Sequence, residues 1–376
     1  MLAIALFSLI LGAFGVYQVL VNSNHGALTS YVPWGLWVGV YVFLVWLEVG
    51  MIISYFMLRR YFKIEGLKTL GPVVMLAAIS ALVAALFTIG MDLGHPFRFW
   101  KAYIQPNFSS LMTWMIWLHT LYLILLVGEL FAYFRGKRIV EKWQIYMNIA
   151  TYISIPIGVI LIGVIGGLFG VIAARPFWNA SVLPLMFFIA SMVAGLGLLI
   201  VLHLLFSPLK GTHQYKETAI NMGRIFFGAI GVGMVAALAN VMVIAYPNVP
   251  AYAEGLRLVV FGPYWWSIWI VHLGIGVALP VILLSFYRRN LKVLFLSSIL
   301  YIIGFTMVPV NIIIPGLAYP MPAMEAIKDA FYHHRLSFDY FPSVVEFLVV
   351  VFAVGLATTI FTLGHRFIIK PYFNEA

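Results

Sequence analysis

Residues 34–58 read WGLWVGVYVFLVWLEVGMIISYFML, a run with one acidic group, Glu48, and no basic one. At 1.5 Å per helical residue it is long enough to cross a hydrocarbon core of about 30 Å. Nine further apolar runs flank it, at roughly 4–22, 70–91, 109–134, 148–173, 181–206, 223–246, 264–287, 291–313 and 343–364. Transmembrane barrel strands alternate over about ten residues, whereas these runs are continuous and longer. The expected fold is therefore an all-α polytopic membrane protein with about ten transmembrane helices. The first run is apolar from Met1 onward and lacks a basic leading segment, so it reads as a retained helix rather than a signal peptide.

Composition agrees. Of 376 residues, 64% are hydrophobic and 9% charged, against about a quarter charged in an average soluble domain. That excludes a soluble enzyme, a nucleic-acid binder and a disordered chain. There is no cysteine. The protein alone can hold neither an iron–sulfur cluster by thiolates nor a covalently attached haem.

The formal charge of +10 has a different meaning in a membrane protein. Arg59, Arg60, Lys63, Lys68, Arg135, Lys137, Arg138, Lys142, Lys210, Lys216, Arg224, Arg288, Arg289, Lys292, Arg366 and Lys370 share one set of connections. The opposite set holds only Arg98, Lys101, Arg175, Arg257, Lys328 and Arg335. Basic residues are retained on the cytoplasmic side, so both termini are expected there, in a prokaryotic cytoplasmic membrane. The loops at 92–108, 174–180, 247–263 and 314–342 then face outward. The last contains Pro315, Pro320, Pro322 and Pro342, with a short helix expected at 322–334. A long ordered outer loop suits docking of a partner. The tryptophans and tyrosines of these loops read first as interfacial anchors in contact with membrane lipid.

Ionisable groups at membrane depth are costly and mark candidate functional positions. Glu48 lies deep in the second run, and Tyr41 and Tyr55 stand seven residues to either side, on one helix face. In the fourth run His119, Tyr122, Glu129 and Tyr133 form a second stripe. The two stripes could form a proton path or simply a set of interhelical hydrogen bonds. Asp92 and Glu346 fall at outer helix ends, where a carboxylate can be solvated. Gly163, Gly166, Gly167 and Gly170 form a small-residue stripe suited to close helix packing. His333-His334 is an outer-loop pair without a convincing third metal ligand.

Several motifs carry a resemblance. They are Val32-Pro33-Trp34-Gly35-Leu36-Trp37, Glu48-Val49-Gly50, Met91-Asp92-Leu93-Gly94-His95-Pro96-Phe97-Arg98, Arg175-Pro176-Phe177-Trp178-Asn179 and Pro342-Ser343-Val344-Val345-Glu346. The chain resembles the NrfD/PsrC family of quinone-interacting membrane subunits, and in length its ten-span HybB/DsrP branch. The resemblance implies two four-helix bundles, spans 2–5 within residues 34–180 and spans 6–9 within 181–313. Residues 1–33 and 314–376 would supply the flanking first and last helices. It implies a quinone, menaquinone foremost, in the first bundle near the outer face, and no covalently held cofactor. Electrons would pass to or from a ferredoxin-like iron–sulfur subunit docked outside. A further catalytic redox subunit would complete the complex, with iron–sulfur clusters and any haem on these partners. Sulfur-compound or hydrogen metabolism is the expected setting.

On this reading Tyr41, Asp92, His95 and Arg175 approach the ring, and Trp37 and Trp178 wall it. Glu48, His119, Tyr122 and Glu129 carry protons. The sequence departs from the family pattern: Tyr41 stands where a histidine is expected, the tyrosine expected on the fifth span falls near Val164, that span lacks the histidine of several branch members, and the fourth span has Trp114 and Met115 in place of an early carboxylate. Two rival readings are a haem b subunit and a secondary transporter. Only His119 and His272 are deep enough to hold a haem, and neither a strong repeat nor mid-membrane helix breaks support a transporter.

Overall fold

The computed structural model describes residues 2–135, 140–246, 250–319 and 337–371. The expected helix at 322–334 and the His333-His334 pair lie outside the described residues. Within them the chain is helical throughout, with no strand. It is a multi-pass membrane protein whose ten long apolar helices occupy the ten expected stretches. Helices are the natural solution in lipid because each satisfies its own backbone polar groups.

The first span is α1, Leu2–Leu20. The first bundle comprises α2 (Leu36–Arg60), α3 (Gly71–Asp92), α5 (Leu111–Arg135) and α6 (Val140–Gly170). A one-turn helix α4, Lys101–Ile104, lies in the 92–108 loop. Helix α2 packs on α3, α3 on α5, α5 on α6 and α6 on α2, closing a ring in which α2 and α5 are diagonal.

The second bundle comprises α7 (Leu183–Phe206), α8 (His213–Ala245), an eighth span, and a ninth span made of α11 (Leu291–Phe305) and α12 (Met307–Ala318). A short helix α9, Pro250–Val260, precedes the eighth span. That span differs from expectation in its winding. Ser267–Ala278 is π-helical and continues as α10, Leu279–Tyr287. The Arg288-Arg289-Asn290 turn is closed by the Asn290 side chain, which accepts from the Lys292 N–H at 3.0 Å and so caps α11. The last span is α13, Val344–Gly364, continued by a π turn at His365–Ile369.

The bundles are joined through α2 and α7. A Cβ on Gly50 would fall on the backbone carbonyl of Ser191, and one on Gly195 on the backbone of Gly50 and Met51. Only glycine at both positions allows this approach. Helix α2 is consequently enclosed on all sides, and every residue of its most apolar 18-residue window is buried. Helix α8 is the opposite case, with 11% of its window buried. Helices α1 and α13 pack against each other through Gly12, Gly15 and Gly355, and α13 also packs on α3.

Candidate functional site

The two polar stripes meet on the axis of the first bundle. The Tyr41 hydroxyl lies 3.3 Å from His119 Nε2. His119 Nδ1 lies 2.7 Å from the Met115 carbonyl, which can only accept, so Nδ1 carries the proton. Nε2 is then an acceptor, and the Tyr41 phenol donates to it. Both side chains are buried. They stand about 7 Å and 12 Å along their helices from the end opposite the basic loops.

Deeper along the same axis are groups the protein leaves unsatisfied. Glu48 is fully buried, and neither carboxyl oxygen meets a hydrogen-bond donor among the described residues. The same holds for the Tyr122 hydroxyl and for Glu129 Oε1. Buried polar atoms without partners are rare in folded proteins, so four on one axis, from three residues, are informative. Glu48 is close enough to act electrostatically on both Tyr41 and Tyr122, and Glu129 on both Tyr122 and Tyr55. Glu129 Oε2 accepts from the Thr151 hydroxyl at 3.2 Å. Tyr55 accepts from Arg59 at 3.4 Å, at the basic end of α2. By helical rise, Tyr41–His119 stand toward the end opposite the basic loops, Tyr122 and Glu48 follow below them, and Glu129, Tyr55 and Arg59 lead to the basic end. Along this line, sequence reasoning did not place Tyr55 beside Glu129, although the heptad repeat along α2 carried that signal.

The remaining candidates are distributed elsewhere. Trp37 is buried against Val19, Met91 and Val349, and its indole N–H donates to the Glu346 carbonyl at 3.2 Å. It packs toward α13, one helical turn above Tyr41. Trp178 is buried over Gly316 of α12, and its N–H donates to the Ile312 carbonyl at 2.7 Å. Trp34 stacks on it at 5.9 Å. Arg175 donates to the Leu317 carbonyl at 3.2 Å. Partial burial lowers its pKa from the ordinary arginine range. Arg175 forms no ion pair with Asp92 or Glu346. Asp92 is half-buried with one unpartnered oxygen, and His95 is exposed beside it.

Glu346 departs from expectation, because it is fully buried rather than solvated. It accepts from the backbone N–H groups of Ala27 at 3.1 Å and Ser343 at 2.8 Å, from the Ser343 hydroxyl, and from the Tyr340 phenol. The Ser343/Glu346 pair forms a capping box on α13. The Tyr340 hydroxyl also accepts from the Leu36 N–H at 2.7 Å, tying the last span to the start of α2.

The glycine stripe on α6 divides. Gly166 and Gly170 meet the backbone at Pro184 and Ala180, while Gly163 and Gly167 face open space. The 92–108 loop presents an exposed aromatic and basic surface that includes Phe97, Phe99, Trp100, Arg98 and Lys101. Among the described residues, no three histidine or acidic side chains are grouped to hold a metal ion.

The family described as "Polysulphide reductase, NrfD" matches residues 25–321. A selenate reductase subunit of Mesobacillus selenatarsenatis is 25% identical, over 96% of this chain and 92% of its own length. The "Menaquinone reductase, integral membrane subunit" of Nitratidesulfovibrio vulgaris is 24% identical, over 97% and 89%. A polysulfide reductase polypeptide of Wolinella succinogenes is 27% identical, over 70% of this chain and 87% of its own length.

Proposed function

The chain belongs to the NrfD polysulphide reductase family, and we propose that it is the quinone-reacting membrane subunit of a respiratory oxidoreductase complex. A relative named as a menaquinone reductase membrane subunit, similar over nearly the full length, makes menaquinone the favoured quinone. Bound, the quinone supplies two-electron, two-proton chemistry.

The observation that carries this reading is the line of buried, unsatisfied polar groups inside an otherwise apolar bundle. They fit a quinone site: the Tyr41 phenol oxygen can accept a proton from a quinol hydroxyl as its own proton passes to His119 Nε2. Asp92 and His95 border the outer entrance, where Asp92 has a free acceptor oxygen. Trp37, Trp178 and Arg175 take a scaffolding role, since their polar atoms are held by backbone carbonyls. Glu48, Tyr122 and Glu129 carry protons between the Tyr41–His119 pair and the basic end. This order is compatible with proton translocation.

The exposed face of the 92–108 loop suits docking of an iron–sulfur subunit outside the cytoplasm, with a catalytic subunit beyond it. Both termini are cytoplasmic in this arrangement. Sulfur-compound or hydrogen metabolism fits the complex, and the catalytic subunit would decide between them.

The test is purification from native membranes in mild detergent, with mass spectrometry of companion proteins and extracted lipids. Stoichiometric quinone with an iron–sulfur protein is the expected result. A lone protein without either, under conditions that preserve known respiratory complexes, overturns the reading.

A further inference from the structure

A lateral crevice of about 450 Å³ runs between α8 and the eighth span. Phe227, Gly231 and Met234 line it from α8, and Leu273, Val277 and Val281 from the eighth span, so its walls are apolar. A Cβ on Gly231, or on Gly228 beside it, would meet nothing within 4 Å. These glycines therefore hollow the surface of α8 rather than admit another described helix. Helix α8 is the least buried of the ten spans, so the crevice opens toward the bilayer.

One end of the crevice is basic. The two helices are consecutive spans and run antiparallel, so Phe227 and Val281 stand at one end and Met234 and Leu273 at the other. Arg224 precedes Phe227 by three residues and Gly231 by seven, on the face of α8 that lines the crevice. On the opposite wall Ser285 and Arg288 follow Val281 by four and seven residues, again on one face. Arg288 keeps helical backbone angles as the cap of α10, so this register holds up to it. Both arginines are exposed, with Arg289 exposed beside the second. At the helical rise they stand about 5 Å and about 10 Å beyond the lining residues.

These charges are not balanced by the protein. Neither Arg224 nor Arg288 is ion-paired among the described residues. Arg224 donates to Asn221 Oδ1 at 3.3 Å, which occupies one of its donors and leaves its charge uncompensated. The nearest carboxylate along α8, Glu217, is seven residues farther out and lies beside His213 at 3.8 Å. Guanidinium groups bind phosphate oxygens in pairs, and basic pockets between transmembrane helices take anionic lipid headgroups. A neighbouring apolar helix or a fatty alcohol would cover the walls but leave the arginines without a counter-ion. A zwitterionic headgroup would bring a cation of its own to them.

We propose that this crevice is a binding site for an anionic phospholipid. One acyl chain lies between α8 and the eighth span, along Gly231 and Val277, and the phosphate sits between Arg224 and Arg288 at the basic end. The site stands on the second bundle alone and does not depend on the quinone reading.

The experiment is photolabelling of the protein in its native membranes with a phosphatidylglycerol carrying a diazirine in one acyl chain, followed by peptide mapping. A phosphatidylcholine with the same chain is the comparison. The expected result is label on peptides from 225–235 or 272–284, several-fold stronger from the phosphatidylglycerol. Arg224→Gln combined with Arg288→Gln should cut that label about fivefold and bring it to the phosphatidylcholine level. Gly231→Leu, which fills the crevice and keeps both arginines, should cut labelling by both lipids. The arginines are exposed and Gly231 has open space, so an unchanged thermal midpoint is the folding control for both variants. Equal labelling by the two lipids, a phosphatidylglycerol preference that survives the arginine substitutions, or no label in either stretch overturns the site. None of these outcomes bears on the proposed function.

Discussion

Tyr41 and His119 face each other from diagonal helices of the first bundle, the phenol oxygen 3.3 Å from Nε2. Because Nδ1 is committed to the Met115 carbonyl, the pair has one defined direction of donation. Tyr41→Phe removes the donor and keeps the ring. Quinol-linked turnover should fall about 10²-fold or more, at a stability cost of about 1 kcal/mol. Turnover in proteoliposomes and a thermal melt in detergent separate the two effects.

Glu48 separates the same two quantities in the other direction. Its carboxyl makes no hydrogen bond among the described residues, so Glu48→Gln removes no observed contact. The melt should be unchanged or shifted upward, while quinol-linked turnover falls. Unchanged turnover would remove Glu48 from the proton path.

Glu346 should behave as a structural carboxylate. Four donors converge on it, and Glu346→Gln replaces an acceptor with an amide that cannot satisfy them all. The loss should be about 1–3 kcal/mol of stability, visible as a lower thermal midpoint. Turnover per folded molecule should be unaffected.

Alkaline pH should loosen the outer connections first. Burial raises the Tyr340 phenol pKa, with the neighbouring Glu346 adding to the effect, and burial and Asp339 push Tyr264 up to about 12. An unfolded tyrosine ionises near 10. Both phenols therefore contribute stability that is complete below about pH 10 and is lost as pH rises through the folded-state values. A melt series from pH 8 to 12 should show a midpoint falling only above about 10. Tyr264→Phe should flatten that decline.

The glycines make a paired prediction. Gly50→Ala places a methyl on the Ser191 carbonyl and should cost about 1–3 kcal/mol or prevent folding. Gly163→Ala meets nothing within 4 Å and should be neutral to within about 0.5 kcal/mol. Expression level and monodispersity in detergent read out both.

The ten spans were legible because lipid leaves hydropathy and length as nearly sufficient signals. The shared face of Tyr41, Glu48 and Tyr55 was legible too, since helical periodicity fixes it within one segment. What faces that stripe depends on how helices pack, so the Tyr41–His119 contact could not be read from either run alone. Glu346 was legible in part: Ser343-Val344-Val345-Glu346 has capping-box spacing, but its burial needs Tyr340 and Ala27 brought in from elsewhere. The roles of Trp37 and Trp178 were hidden for the same reason, because each donates to a carbonyl more than 100 residues away. The π winding of the eighth span has no residue-level signature in the apolar run that carries it.

The enclosure of α2 has a consequence for how the protein is made. Its closest neighbour, α7, ends at Phe206, well after α2 ends at Arg60. At ordinary synthesis rates that interval is on the order of ten seconds. During it, Glu48 and the backbone groove at Gly50 have no partner from the second bundle. The insertion machinery or an early pairing with α3 must shelter the second span until the sixth arrives. Biogenesis, more than finished stability, is the stage at which a change at Gly50 or Gly195 would first be felt.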